Sequence, residues 1–163
     1  MFSSQTWSLA PMPIWSKTKH LFRRPSRLQI AALCYRMRNG APEVLLVTSR
    51  TTRRLIIPKG WPIMKSRAHK TARTEAYEEA GVIGKVSKKP YGKYRSHKGH
   101  KAGLKLRTEV LVYLLEVKKT LDEFPEVGQR DLLWCRLPEA IKRADEPGLA
   151  QILKQFQREF ANN

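Results

Sequence analysis

The chain has 163 residues, is 41% hydrophobic, and sets 32 Lys and Arg against 14 Asp and Glu for a net charge of +18. That length supports one domain with a full hydrophobic core, and no apolar run reaches the roughly 18 residues of a membrane span. The charge excess implies a polyanionic partner (a phosphorylated small molecule, a nucleic acid or an anionic membrane surface) unless the basic surface serves solubility alone.

Residues 1–26 read as a flexible basic tail ahead of a single domain spanning 27–163. Pro11 and Pro13 break its first half, Lys17 to Arg24 is basic, and no acid precedes Glu43. Its Ser and Arg content also fits an organelle transit peptide, whereas its apolar stretch is too short and broken for a secretory signal. Leu28 to Arg36 is strand-like, Asn39-Gly40 is a hairpin turn, and Glu43 to Ser49 is the returning strand. Arg50, Arg53 and Arg54 follow in a loop. Leu55-Ile56-Ile57 is a short strand that stops at Pro58, and Gly60 supplies a turn. Ser66 is placed to cap the next helix, which runs to a glycine C-cap at Gly81. Ala68, Ala72 and Ala76 recur at i+4 and allow that helix to pack closely on a sheet.

Val82 to Ser87 begins another strand. From Lys85 to Arg107 the chain is basic and free of acids, with Tyr91, Tyr94, His97 and His100 interleaved. This composition suits an excursion between strands that contacts nucleic acid or a highly phosphorylated ring, or else a solvated loop. Thr108 to Val117 is a strand with Glu109 at its start, Leu121 to Arg130 is a polar loop, and Leu132 to Arg136 is a last strand with Trp134 as its core aromatic. Pro138 suits the first turn of a helix. Glu146-Pro147-Gly148 interrupts, and Leu149 to Phe160 is an amphipathic C-terminal helix. Strands around a central helix, with a terminal helix outside, predict a layered α/β sandwich. Cys34 and Cys135 lie among apolar neighbours and read as buried hydrophobes, which fits a reducing cytoplasm. His69, His97 and His100 read as surface histidines.

Acidic side chains gather tightly on one helix only. Glu75, Glu78 and Glu79 stand at i, i+3 and i+4, so they share a face. Such a face is either merely solvated or holds a cation among its carboxylates, and hard oxygen ligands suit Mg²⁺ or Mn²⁺.

Gly60, Glu75, Glu78, Glu79, Gly81 and Val82 fall at the spacing of the Nudix box, G-x5-E-x7-R-E-U-x-E-E-x-G-U, and the chain resembles the Nudix hydrolases. Ser66 stands where that pattern has its first Glu, and Thr74 where it has Arg. The stretches 27–36, 44–50 and 57–61, with Gly128-Gln129-Arg130, resemble the branch acting on diphosphoinositol and diadenosine polyphosphates. The resemblance covers about residues 27 to 156. It implies a Nudix-type α/β/α sandwich with a mixed sheet, a Nudix-box helix and a C-terminal helix. It also implies cleavage of a phosphoanhydride by water with Mg²⁺ or Mn²⁺. In that reading Glu75, Glu79 and the Gly60 carbonyl hold metal, and Glu78 accepts a proton from the attacking water. Arg50, Lys59, Lys105, Arg107 and Arg130 bind phosphate, and Glu109 is an occasional further ligand. Two alternatives stay open: a pyrophosphohydrolase acting on RNA 5′ ends, and a degenerate module that binds a polyanion or RNA without turnover.

Overall fold

The computed structural model describes residues 27–99 and 105–161, with backbone only for 97–99 and 105–107. The expected tail, residues 1–26, lies outside the described residues. The long strand β1 (Arg27–Arg38) turns through Asn39 and Gly40, both at positive φ, into β2 (Ala41–Thr48). Two-residue Asn-Gly loops of this kind match the twist of antiparallel strands. Then come β3 (Leu55–Ile56), β4 (Lys59–Gly60), the helix α1 (Ala68–Ala80), β5 (Val82–Val86), β6 (Gly92–Gly99), β7 (Lys105–Thr120), β8 (Leu132–Arg136), α2 (Leu137–Arg143) and α3 (Pro147–Ala161).

The strands form one mixed sheet with the central order β3-β2-β1-β7-β5. β1 runs parallel to β7 and antiparallel to β2, and β6 and β8 pair with β7 and β2. β1 is buried on both faces because its alternate residues serve two cores. Ala31 and Leu33 join Val44, Leu46, Leu149, Leu153 and Phe156 on the α2/α3 side. Ile30, Ala32 and Cys34 join Leu45, Val47, Ala72, Ala76 and Val82 on the α1 side. The fold is therefore an α/β/α sandwich, with a core on each face of the sheet. Leu149, Ile152, Leu153 and Phe156 fix α3 at helical spacing; each fully buried side chain contributes about 1.5–3 kcal/mol.

Two local expectations need correction. Ser66 does not cap α1: its N–H donates to the Ile63 carbonyl in a turn at 3.1 Å, and Arg67 is the N-cap without a side-chain bond. The helix thus begins one residue later than a Ser66 cap requires. The basic excursion is not irregular over its length, since β6 forms a regular ladder with β7. Its lysines and arginines hide a period of two: Tyr94 and Ser96 are buried while Lys93 and Arg95 are exposed. At the far end of α1, Gly81 adopts φ 62°, and its N–H closes the helix on Ala76 and Tyr77. Trp134 is only partly buried, with the Arg36 guanidinium 4.1 Å from its ring centroid.

A fork in the sheet positions the site. Over Tyr35–Arg38 the free edge of β1 pairs with β2, but at Ile30 and Ala31 it pairs with β4. The divergence opens a cleft of about 560 Å³ between the β2–β3 loop, β4, α1 and the 126–130 loop.

Candidate active site

The cleft has walls of opposite charge. Glu75, Glu78 and Glu79 project from α1, and Glu126 joins them from the loop before β8. Arg50, Arg54, Lys59 and Arg130 line it as well. The loop is stitched to the helix by the Glu126 N–H, which donates to the Glu78 carbonyl at 3.0 Å.

Gly60 is the seat of Glu75. A Cβ at position 60 would collide with the Glu75 carboxylate, so the close approach requires glycine. Burial, followed by the negative charges of Glu79, Glu78 and Glu126, pushes the Glu75 carboxyl up to about 7, with Arg130 opposing. Burial also raises Glu79, against Arg130 and the Lys59 N–H, which donates to Oε2 at 3.1 Å. Its other oxygen, Oε1, accepts from Arg130. Among the described residues, no three His, Cys, Asp or Glu side chains already converge as a metal cluster. The donor set is nonetheless hard oxygen, crowded with like charge, and Glu75 sits against Gly60 where a Cβ would not fit. These features fit a divalent cation, with Glu79 exchanging part of its Arg130 contact.

Each guanidinium nitrogen of Arg130 donates to protein. Besides Glu79, its Nε donates to Glu126 at 2.8 Å and its Nη1 to the Thr48 carbonyl at 3.0 Å. Asp131, the next residue, pairs with Arg53. Arg50 reaches Glu126 at 3.6 Å and remains largely exposed at the cleft. Lys59 is neither a solvated loop charge nor a free phosphate donor. Its ammonium donates to both Glu146 oxygens at 2.8 and 2.7 Å, and the side chains are only 9% and 4% exposed. Tyr94 Oη donates to the same carboxylate at 2.7 Å, and Ser96 Oγ donates to its other oxygen. Burial opposes the charge on Glu146, but Lys59, Ser96 and Tyr94 outweigh it and hold the carboxyl below its ordinary range. Burial lowers the Lys59 ammonium, against the pull of Glu146.

The structure thus brings Gly60, Glu75, Glu78, Glu79, Arg50, Lys59 and Arg130 into one cleft. Lys105 and Arg107 lie at the start of β7, with side chains outside the described residues. Glu109 pairs with Lys93 at 3.2 Å and does not line the cleft. Sequence reasoning missed Glu126 and Glu146. The latter sits in a Glu-Pro-Gly triplet that reads as a simple helix break, yet it is 3% exposed at the threshold of α3. Cys34 and Cys135 are buried thiols raised by burial, the latter to about 11, so neither is a thiolate at neutral pH.

The mixed sheet between α1 and the α2/α3 pair, with the glutamates of α1 facing a glycine loop, defines a Nudix fold. A *Caenorhabditis elegans* Ap4A hydrolase superposes with a TM-score of 0.60 at 21% identity, covering 84% of this chain and 99% of that one. No family model matches the sequence. The mitochondrial Nudix hydrolases 13 and 18 of *Arabidopsis thaliana* are 29% identical over 124 residues and 31% identical over 98. The alignments cover 73% and 60% of this chain but only 61% and 53% of the relatives, so the chain spans little more than half their length. The chain is thus similar in sequence to Nudix hydrolases and shares its fold with solved Nudix structures.

Proposed function

We propose that this protein hydrolyses a phosphoanhydride bond in a polyphosphorylated substrate, a dinucleoside polyphosphate or a diphosphoinositol polyphosphate. The opposed charge across the cleft carries the reading: carboxylates suited to a cation on α1, and arginines suited to phosphate oxygens around them. Glu75, Glu79 and the Gly60 carbonyl would hold Mg²⁺ or Mn²⁺, which when bound supplies charge to offset the phosphate oxygens. Glu78 accepts the proton of the attacking water. Arg50 grips phosphate at the mouth, and the family resemblance alone adds Lys105 and Arg107 to the phosphate-binding set. Arg130 keeps Glu79 in place, and Lys59, held by Glu146, lines the cleft and sets its backbone N–H on Glu79. The similarity to an Ap4A hydrolase supports the dinucleotide alternative, and the net charge of +18 supports a substrate with many phosphates. A basic tail over residues 1–26 and a reducing, cytoplasmic setting belong to the same proposal; cell fractionation of the tagged protein tests the latter.

The experiment is product release from a panel of diadenosine polyphosphates, a diphosphoinositol polyphosphate, nucleoside triphosphates, ADP-ribose and 5′-triphosphorylated RNA. Each is run with Mg²⁺, Mn²⁺ or EDTA, using wild type and Glu78→Gln. Metal-dependent cleavage of the first two classes, lost in the variant, is expected. Cleavage confined to RNA would replace the substrate assignment. No turnover by folded protein on any member would leave the polyanion-binding module, which the departures at Ser66 and Thr74 favour.

A further inference from the structure

We infer that the loop between β4 and α1, with the first turns of that helix, docks on an anionic lipid surface. Ile63 and Met64 enter the headgroup layer, flanked by Lys65, Arg67, Lys70 and Arg73. This use of the loop is independent of the substrate assigned above.

A tight turn builds the tip. The Ser66 N–H donates to the Ile63 carbonyl at 3.1 Å, so Met64 and Lys65 are the two central residues of the turn. The Ile63 N–H donates to Thr71 Oγ1 at 3.4 Å, which ties the turn to α1. Lys65 is held at φ 60°, a left-handed conformation that favours glycine. Met64 is 87% exposed and Ile63 42% exposed, and the half-exposed Trp61 stands two residues before them. Single exposed aliphatic residues are ordinary, but here two adjacent ones crown a fixed turn beside a tryptophan. Neither Ile63 nor Met64 lines the cleft.

The surroundings of the tip are cationic. Lys65, Arg67, Lys70 and Arg73 are all exposed, and none of them pairs with a carboxylate among the described residues. Lys70 and Arg73 stand at i and i+3, so they share an exposed face of α1. No acid lies between Glu43 and Glu75 in the sequence. The Nudix pattern would place its first Glu at Ser66, between Lys65 and Arg67, and this chain omits the acid that would repel an anionic surface there. Exposed aliphatic side chains gain by leaving water at the boundary of headgroups and acyl chains, while lysine and arginine keep their charges among lipid phosphates. An RNA backbone would engage the same cations but leave two aliphatic tips uncovered. Among the described residues no helix is long and apolar enough to cross a membrane, so the association is peripheral.

The test is cosedimentation of the full chain with phosphatidylcholine vesicles, with and without phosphatidylserine, at physiological salt. Binding that requires phosphatidylserine is expected. Ile63→Ser with Met64→Ser should weaken it about tenfold or more, since two aliphatic side chains no longer enter the interface. Met64→Leu alone should leave it near wild type. Lys65→Gln with Arg67→Gln should weaken it by roughly fivefold per charge. Lys142→Gln with Arg158→Gln removes the same charge from exposed positions on α2 and α3, across the sheet. That pair should weaken binding by less than about twofold, because charges beyond a Debye length from the lipid are screened. Every variant keeps the basic stretch 17–24, so the ratios report the loop. No binding to either vesicle, full binding by the serine pair, or equal losses from the two charge pairs would overturn the docking surface. Weakening of single-stranded RNA binding by the serine pair, equal to its effect on vesicles, would overturn it too and reassign the surface to nucleic acid.

Discussion

At the scale of single residues, the cleft is governed by two buried arginine and lysine contacts that hold glutamates at fixed points. Arg130 and Glu79 are 6% and 8% exposed at the side chain, so removing Arg130 takes from the buried Glu79 carboxylate the cation that opposes its desolvation. Arg130→Ala should cost about 3–5 kcal/mol in urea unfolding, as for other broken buried pairs. Arg130→Lys should recover only part of this, because lysine lacks the fork that reaches Glu79, Glu126 and Thr48 together. Lys59 and Glu146 obey the same rule: Lys59→Met or Glu146→Leu alone should cost about 3–5 kcal/mol, and the double variant much less than the sum. Additive losses in that cycle would show that the pair is not coupled. The pH dependence separates these carboxylates by sign. Glu75 is raised from 4.5 to about 7 in the folded protein, so without metal its contribution is fully present below about 4.5 and is lost as pH rises toward 7. Thermal melts of wild type minus Glu75→Gln should fall over that window. Glu146, held low, contributes above its ordinary value and loses the contribution as pH falls.

At the scale of elements, α1 is fixed by its two glycine neighbours as much as by its own sequence. Gly81 has φ 62°, and a side chain there would also collide with the Phe124 ring of the loop that carries Glu126. Gly81→Ala should therefore destabilise by about 1–3 kcal/mol, through strain and overpacking together, and the denaturation midpoint measures it. A change within a few tenths of a kcal/mol would show that the loop yields freely. The glutamate triad, both glycines, the Asn-Gly hairpin and the C-terminal helix were legible because spacing along one element defines them. Glu126, Arg130 and Glu146 were not legible as a set: Arg130 meets Glu79 across 51 positions, and Lys59 meets Glu146 across 87. No local pattern encodes such pairings. β6 was obscured for a different reason, since exposed lysines and arginines mask the inward Tyr94 and Ser96. Ser66 misled because a good capping residue was already engaged in the preceding turn.

At the scale of the whole molecule, the sandwich sets a concentrated negative charge inside a strongly positive chain. Two cores, one on each face of β1, hold α1 and α3 rigidly across the sheet, and the fork between β2 and β4 places their contributions in one cleft. The layered α/β class was readable from the order of strands and helices, but the fork was not, because β1 changes partners midway along a continuous apolar run. The resulting field attracts polyanions generally, so selectivity must come from the cleft: its carboxylates for a cation and its arginines for phosphate. All of this depends on the carboxylate cluster taking up a divalent ion. The direct measurement is a calorimetric titration of the full chain with Mn²⁺ at about pH 6 and pH 7.5, beside Glu75→Gln. Saturable binding accompanied by proton release, greater at the lower pH and abolished in the variant, is the predicted result. Saturable binding that Glu75→Gln leaves unchanged, or no binding by folded wild type at either pH, would contradict the account.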